Sequence, residues 1–337
     1  MKEALYWVSL DEGRVQCVLC PHRCVIREDK TGICGVRKNV GGVLYSLVWA
    51  RSIAASVDPI EKKPLFHFLP GSSAFSIATV GCNFRCKFCQ NSDISQYPIQ
   101  TGRITGEELL PQDVVEAALM RGCESISYTY TEPTIYMEYV LDTARLAHEE
   151  GIQNTMITNG YISTDVVTKS LKGLIDAANI DLKSFSDSFY KKLCGGRLQG
   201  VLDAIRAYYD AGVWIELTTL LIPGENDSED EIRDIAGFIK SISPDIPWHI
   251  SRYYPHYLYD KAPPTTVREV EAARDIGLSQ GLNYVYTGNV MGHIGENTFC
   301  HHCGRGIIKR RGFFVTEKAM RGNTCLHCNQ TIPGRFE

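Results

Sequence analysis

The sequence predicts an α/β protein in which a partial α/β barrel is flanked by two cysteine-rich segments. Apolar runs of strand length alternate with amphipathic stretches between residues 75 and 290. This alternation is typical of parallel strands joined by right-handed helical crossovers. Six or seven such units favour a full or partial barrel, and an open doubly wound sheet is the alternative.

Seven strands are expected, and they are Phe75–Val80, Ser125–Tyr130, Thr155–Thr158, Ala178–Leu182, Ile215–Ile222, His249–Tyr254 and Tyr284–Tyr286. Thr105 with Glu108 has the spacing of a capping box and predicts the start of the first helix. Ser228 with Glu231 predicts a second start, and another helix is expected over Thr134–Glu150. In such folds the chemistry lies where the strands end, at their carboxyl termini.

The chain divides by composition into three expected regions. They are a cysteine-rich extension (1–70), the barrel (71–292) and a small metal-binding module (293–337). Apolar residues make up 44% of the 337, which is enough for one large core. The first residues lack the features of a signal or transit peptide, so a cytoplasmic protein is expected. No run of 18 apolar residues occurs, and no membrane span is expected.

The distribution of charge along the chain indicates which classes of binding partner are favoured. The formal net charge is −4, which gives no general attraction to nucleic acid. Residues 300–337 hold seven Lys or Arg against two Asp or Glu, about +5, so the rest carries about −9. We interpret this basic end as a solvated surface, and a docking face for an acidic partner is the alternative.

Thirteen cysteines dominate the composition. Because disulfides are disfavoured in the cytosol, clustered cysteines there are expected to bind metals or clusters. They form sets of four, three and four, with two left over: Cys17, Cys20, Cys24, Cys34; Cys82, Cys86, Cys89; Cys300, Cys303, Cys325, Cys328; Cys123 and Cys194. Four ligands close a structural site, whereas three leave a position open for chemistry.

The set of three directly follows the first barrel strand. Cys82, Cys86 and Cys89 have the spacing Cys-x3-Cys-x2-Cys. Three thiolates satisfy three irons of a [4Fe–4S] cluster and leave the fourth iron open to another ligand. The alternative is a zinc site completed by a distant His or Cys.

With aromatic Phe88 directly before the third cysteine, this motif resembles the signature of radical S-adenosylmethionine (SAM) enzymes. The resemblance implies that the open iron binds SAM and that one electron cleaves its sulfonium C–S bond. The resulting 5′-deoxyadenosyl radical then abstracts hydrogen from a substrate. It also implies a reductant such as flavodoxin or ferredoxin.

The same resemblance assigns cofactor contacts to Phe88 and to residues after later strands. The latter are Thr131, Glu132, Asn159, Asp181, Lys183 and His256. The Thr-Asn-Gly turn and the Asp-Leu-Lys segment are similar to those of glycyl-radical-enzyme activases. Ile157 stands where that branch has an aspartate, which leaves the implied cation site in doubt. On its residue type alone, Glu132 could instead stabilise a helix amino terminus.

The flanking cysteine sets predict closed metal sites. Cys300, Cys303, Cys325 and Cys328 form two Cys-x2-Cys pairs, which is typical of a zinc ribbon or rubredoxin-like module. Zinc is expected there, and iron is the alternative. For Cys17, Cys20, Cys24 and Cys34, zinc is favoured over an auxiliary [4Fe–4S] cluster. Cys194 is interpreted as a buried apolar residue, and a role near the substrate is the alternative.

Taken in order, these motifs resemble the AmmeMemoRadiSam system radical SAM enzymes, which are related to pyruvate formate-lyase activases. That resemblance implies AMMECR-type and Memo-type partners. The favoured function is an oxidoreductase that abstracts hydrogen from a protein glycine or another protein or small-molecule substrate. The alternatives are an RNA- or small-molecule-modifying radical SAM enzyme, and a zinc-dependent interaction scaffold with a degenerate cluster site.

Overall fold

Short antiparallel strands organise the first fifty residues. The computed structural model describes residues 1–337. The first strands are β1 (Lys2–Glu3), β2 (Trp7–Ser9), β3 (Val15–Cys17), β4 (Val25–Ile26), β5 (Arg37–Val40), β6 (Val43–Ser46) and β7 (Arg51–Ser52). They form one sheet in the order β2-β3-β4 and another in the order β1-β6-β5. The cysteines of this region therefore lie on β3 and in the turns that follow it.

The alternating region forms one sheet and its covering helices. Its elements are β8 (Ala54–Pro59), β9 (Ser73–Ala78), α1 (Ser92–Ser95), α2 (Tyr97–Thr101), β10 (Glu107–Glu108), α3 (Pro111–Met120), β11 (Ser125–Tyr128), α4 (Met137–Glu149), β12 (Gln153–Thr158), α5 (Thr164–Val166), β13 (Ala177–Asp181), α6 (Asp187–Phe189), α7 (Leu198–Asp210), β14 (Trp214–Leu221), α8 (Glu229–Ile242), β15 (Trp248–Arg252), α9 (Val267–Ser279) and β16 (Val285–Gly288). All seven predicted strands are confirmed, with shifts of at most two residues at their ends.

The strand order decides between the two predicted architectures. The sheet runs β16-β15-β14-β13-β12-β11-β9-β8. From β9 to β16 every neighbouring pair is parallel and the order never reverses. A doubly wound sheet requires a reversal, so that alternative is wrong. The edge strands β8 and β16 do not pair with each other, so the barrel is partial.

Strand β8 is an addition that the sequence did not predict. It pairs antiparallel with β9 over its whole length, from Ala54 opposite Ala78 to Pro59 opposite Ser73. The predicted boundary after residue 70 therefore separates β8 from the sheet to which it belongs. Most of its residues are only partly buried, so it lacks the continuous apolar run of its neighbours.

Two of the helix predictions need correction. The segment with Thr105 and Glu108 does not start a helix, because β10 pairs there with β7. The helix starts at Pro111 instead, and Asp113 accepts a hydrogen bond from the backbone N of Leu110 (3.1 Å). The expected helix over 134–150 begins as a 3₁₀ turn and becomes α-helical only at Met137.

The Ser228 cap is confirmed, but only one half of the expected box forms. Its hydroxyl accepts from the backbone N of Glu231 (3.3 Å). The Glu231 carboxylate instead accepts from the backbone N of Phe185 (2.8 Å) and from the Ser184 hydroxyl. Tertiary partners therefore replace the reciprocal local bond.

The C-terminal module contains β17 (Thr298–Phe299), β18 (Gly306–Arg311), β19 (Phe314–Lys318), β20 (Met320–Arg321) and β21 (Thr324–Cys325). It packs where the parallel strands begin. Arg335 donates from its backbone N to the carbonyl of His67 (2.8 Å) and pairs with Asp176, just before β13 (3.3 Å). Tyr284, just before β16, bonds His301 (2.7 Å). The carboxyl ends of the strands remain free for chemistry.

The largest apolar core lies between the sheet and its helices, and it extends to the N-terminal strands through Val15, Val36 and Leu44. A smaller core joins the C-terminal module to Phe66, Tyr284 and Tyr286. No helix is both long and apolar enough to cross a membrane.

Candidate active site

The loop after β9 carries the set of three cysteines. Cys86 is buried, and Cys82 and Cys89 are partly buried. The Cys82 sulfur accepts from the backbone N of Phe84 (3.3 Å), and the Cys89 sulfur lies 3.3 Å from the Ser95 hydroxyl. Burial, reinforced by the nearby Glu132 carboxylate, raises the pKa of the Cys82 thiol well above its usual value. Binding to iron would therefore be needed to hold this sulfur as a thiolate.

The segment after β13 holds this loop in place. The backbone N of Arg85 donates to the carbonyl of Cys194 (2.7 Å), and that of Lys87 donates to Leu193 (2.9 Å). Gly196 is needed here because a Cβ at that position would lie 2.2 Å from the Phe84 ring. The cysteine loop is thus fixed against residues 193–196 by two backbone hydrogen bonds and by the close approach of Gly196 to Phe84.

The three cysteines open onto a cleft of about 320 Å³ at the carboxyl ends of the strands. Eight of the ten predicted cofactor-contacting residues line it: Cys82, Cys86, Cys89, Phe88, Thr131, Asn159, Asp181 and Lys183. No fourth cysteine lines this cleft. Three thiols beside an open polar cleft fit a [4Fe–4S] cluster with one iron left for SAM.

Asn159 contacts the motif itself. Its side-chain nitrogen lies 3.7 Å from the Cys82 sulfur and donates to the Asn83 carboxamide oxygen (2.9 Å). Its own oxygen accepts from the backbone N of Tyr161 (2.9 Å), which fixes the orientation of the amide. The following Gly160 has φ +70°, a conformation that favours glycine. Asn159 is therefore placed to hydrogen-bond a cluster ligand, and hydrogen bonds to cluster sulfurs tune reduction potentials.

Asp181 and Lys183 form an ion pair on the cleft wall, with Nζ 2.7 Å from the carboxylate. The lysine side chain is 15% exposed and the aspartate 38%. Burial alone would lower the pKa of Lys183, but Asp181 and the Cys86 thiol hold it well above its usual value. A fixed positive charge thus faces the cleft, where it can attract a carboxylate.

Glu132 does not line the cleft. It is fully buried, and its carboxylate accepts from the backbone N of Thr134 (2.9 Å) and of Asn159 (2.8 Å). The hydroxyls of Thr134 (2.6 Å) and Thr158 (2.7 Å) donate to it as well. Burial raises the pKa of Glu132, while these donors oppose the increase. This carboxylate ties the ends of β11 and β12 together, and its contact with SAM stays a prediction.

His256 and Cys194 also lie outside the cleft lining. His256 is exposed, in a turn where its backbone pairs with Tyr259 (3.3 Å). Cys194 is fully buried behind the cysteine loop. A hydrogen bond from Cys194 lowers the pKa of Cys86, helped by the charge of Lys183. Cys194 therefore adjoins a cluster ligand, and the structure does not place it facing a substrate.

Several lining residues were missed by sequence reasoning. Ser251 and Asn289 line the cleft from the ends of β15 and β16, where the strand-end rule could have found them. Tyr130, the last residue of the second predicted strand, also lines the cleft, and its backbone has a positive φ of 65°. Its hydroxyl donates to Asp58 on β8 (2.6 Å), and Lys63 lies 3.4 Å away.

The C-terminal cysteines form a compact group. The sulfurs of Cys300, Cys303, Cys325 and Cys328 all lie within 4.8 Å of one another. The Cys300–Cys328 distance is 3.6 Å and the Cys303–Cys325 distance is 4.0 Å. A tetrahedral ion with bonds of about 2.3 Å places its sulfurs about 3.8 Å apart. These four residues therefore form a metal site for a single ion.

The N-terminal cysteines also come together in the fold, but their sulfurs are less tightly grouped than the C-terminal ones. Cys17, Cys20, Cys24 and Cys34 line one cavity together with Asn83 of the cysteine loop. No three of their sulfurs gather within 4.8 Å of one another as the C-terminal sulfurs do.

Comparison with known proteins agrees with this geometry. A model of the radical SAM superfamily matches residues 76–237, which include the cysteine loop and the strands around it. An uncharacterised protein of Methanocaldococcus jannaschii is 44% identical over 312 residues, covering 92% of each chain. This chain belongs to the radical SAM superfamily. The pyruvate formate-lyase-activating enzyme of Clostridium pasteurianum is 27% identical over 164 residues, 48% of this chain and 67% of that enzyme.

Among solved structures, a radical SAM methyltransferase from Sphaerobacter thermophilus has a TM-score of 0.53 and 16% identity, covering 71% of each chain. At that identity the likeness shows the radical SAM fold alone. The protein is thus a radical SAM enzyme with a distant relation to glycyl-radical-enzyme activases.

Proposed function

We propose that this radical SAM enzyme cleaves SAM reductively and abstracts a hydrogen atom from the α-carbon of a protein glycine. The observation that carries the cleavage step is the open side of the cysteine loop. Cys82, Cys86 and Cys89 face a cleft with no fourth cysteine. When bound, the reduced cluster would supply the electron and SAM would supply the 5′-deoxyadenosyl radical, while the protein orients both.

The chain's own residues suit the two charged groups at the methionyl end of SAM. Lys183 offers a positive charge to the SAM carboxylate, and Asp181 offers a negative charge to its ammonium. Phe88 is buried at the cleft wall, with its ring centroid 5.8 Å from that of Phe189, and supports the position of Cys89. Exclusion of water by this packing would protect a reactive radical.

The glycine substrate rests on the distant activase relatives. Besides the Clostridium enzyme, a putative glycyl-radical enzyme activating enzyme of M. jannaschii is 29% identical over 186 residues. We further propose zinc for the C-terminal site, a flavodoxin or ferredoxin as reductant, and AMMECR-type and Memo-type proteins as partners.

Cleavage is tested by anaerobic reconstitution with iron, sulfide, dithionite and SAM. Wild type should form 5′-deoxyadenosine and methionine, while Cys86→Ala should form less than about 1% of that amount because the cluster loses a ligand. Cys123→Ala removes a buried cysteine far from the motif and should retain activity. Equal product from wild type and Cys86→Ala would contradict the reaction.

The hydrogen donor is tested separately with extract from source cells grown on glycine deuterated at the α-carbon. Mass spectrometry of the 5′-deoxyadenosine should show one added deuterium. Unlabelled product would reject glycine as the substrate and leave SAM cleavage standing.

A further inference from the structure

The N-terminal cysteines surround a cavity instead of converging on a point. Cys17 lies on β3, Cys20 and Cys24 lie in the turn before β4, and Cys34 lies before β5. All four line the same cavity, and three of them are buried. The rest of the lining is largely apolar, with Leu19, Ile26, Ile33 and Ile135. A bound group would therefore be shielded from water.

The sulfur spacing separates two kinds of metal site within this one chain. The C-terminal sulfurs lie within 4.8 Å of one another, as one tetrahedral ion requires. No three N-terminal sulfurs do so, and neither do those of Cys82, Cys86 and Cys89. In a [4Fe–4S] cluster each thiolate binds a different iron, so its sulfurs must stand farther apart. The N-terminal set, like the radical SAM motif, therefore lacks the tight grouping of sulfurs found in the C-terminal set.

A buried arginine supplies a second, independent observation. Arg37 lines the cavity and is 1% exposed. Its two terminal nitrogens donate to Glu138 (2.9 Å each), while its Nε has no hydrogen-bond partner. Buried donors without partners are rare in folded proteins. A cluster would offer sulfide and thiolate acceptors to this unpartnered donor.

We propose that Cys17, Cys20, Cys24 and Cys34 hold a second [4Fe–4S] cluster, and not the zinc ion that their spacing in sequence favoured. Four cysteine ligands saturate its irons, so this cluster has no open position for SAM. Its chemistry is confined to electron transfer.

The position of the cavity points to the route of that transfer. Asn83 lines the cavity and directly follows Cys82, about 3.8 Å away between Cα atoms. His22, between Cys20 and Cys24, donates to the Asn83 carbonyl (2.8 Å). A low-potential donor of the flavodoxin or ferredoxin class would give up one electron to the N-terminal cluster. That electron would pass to the cluster in the cleft, with no proton moved and no bond broken.

The cluster is tested in the full chain with the first site removed. A Cys82→Ala/Cys86→Ala/Cys89→Ala variant, purified anaerobically, should hold about four irons, four sulfides and one zinc. Its Mössbauer spectrum should show a [4Fe–4S]²⁺ core. Adding Cys20→Ser and Cys34→Ser should remove the iron, whereas adding Cys123→Ser should not. Two zincs and no iron in the first variant would overturn the proposal.

The relay rests on the proposed cleavage of SAM, so it needs its own readout. In a Cys20→Ser/Cys34→Ser variant, the ratio of flavodoxin-driven to dithionite-driven cleavage should fall at least tenfold. An unchanged ratio would overturn the relay. If wild type forms no 5′-deoxyadenosine while the first variant still holds four irons, the proposed function fails and the second cluster stands.

Discussion

The two four-cysteine sets use the same ligands in opposite places and with opposite geometry. The C-terminal sulfurs converge within 4.8 Å, on a module that packs where the barrel strands begin. The N-terminal sulfurs surround a cavity that touches Asn83, where the first parallel strand has ended. The first arrangement suits a single ion remote from the cleft, and the second suits a cluster beside it.

The spacing of cysteines in the sequence therefore identifies the ligands better than it identifies the metal ion or cluster that they bind. Both sets contain a Cys-x2-Cys pair, and both were expected to bind zinc. What separates them is the packing around the sulfurs. The C-terminal set lies among short hairpins that close on one point. The N-terminal set lines a cavity together with Ile26, Ile135 and Arg37, and Arg37 pairs with Glu138. We therefore expect a structural role for the C-terminal set and a redox role for the N-terminal set.

Loss of the C-terminal metal should have the largest effect on stability. Structural zinc contributes about 10–16 kcal/mol of apparent binding free energy in small zinc domains. Cys325→Ser should therefore unfold the module, and hydrogen exchange should show loss of protection at Ile307 and Ile308. Cys123→Ser is the matched buried control. If Cys325→Ser abolished SAM cleavage while the barrel amides stayed protected from exchange, the structural role expected for the C-terminal set would be contradicted.

The docking of the module depends on Arg310, whose side chain is fully buried. It donates to the carbonyl of Phe66 (2.8 Å) and the hydroxyl of Thr298 (2.8 Å), and it pairs with Glu61 (3.5 Å). Arg310→Ala leaves the Glu61 charge buried without its partner, which should cost about 3–5 kcal/mol of unfolding free energy.

Denaturant unfolding measures this loss, with exposed Arg311→Ala as the control, which should change stability by less than about 0.5 kcal/mol. Iron content should be unaffected in both variants. A loss of N-terminal iron in Arg310→Ala would show that the two ends of the molecule are coupled.

His67 makes the same interface sensitive to acid. Its ring donates to the Pro333 carbonyl (2.7 Å) and accepts from the Tyr286 hydroxyl (2.6 Å). Burial lowers its pKa from 6.5 to about 4. As the pH falls, the unfolded chain protonates His67 before the folded protein does. The contribution of His67 to the unfolding free energy is therefore complete above about pH 6.5 and is lost as the pH drops toward 4. The loss from this group should be about 3 kcal/mol.

His67→Gln keeps a donor and an acceptor but does not titrate, so unfolding free energy should depend less on pH in that window. Exposed His302→Gln is the control. An unchanged slope in His67→Gln would contradict the role given to His67. The pKa of Glu216 is lowered by His249 against the effect of burial. This carboxylate should therefore affect the pH dependence of the unfolding free energy only below about pH 4.5.

The sequence predicted the barrel well because its seven parallel strands are mostly buried and alternate with segments of helical length. It missed β8, whose half-exposed residues lack such a run. It misplaced the start of the first helix because Glu107 and Glu108 pair with β7, a contact that no local pattern encodes.

The site was predictable where it follows a strand end. Asp181 and Lys183 lie in the cleft because the carboxyl ends of parallel strands meet there. Glu132 follows a strand end too, yet its carboxylate turns inward to four donors, two on nearby Thr134 and two at the end of β12. The difference between the two four-cysteine sets was not predictable, because it depends on how far apart the folded chain holds the sulfurs.

We propose that SAM binds the iron that Cys82, Cys86 and Cys89 leave open. Electron–nuclear double resonance of the reduced enzyme, with SAM labelled by ¹⁵N in its amino group and ¹⁷O in its carboxylate, tests this directly. We expect hyperfine coupling of both labels to the cluster in wild type, and we expect both couplings to be lost in Cys86→Ala. A reduced cluster with SAM present and neither coupling would contradict it.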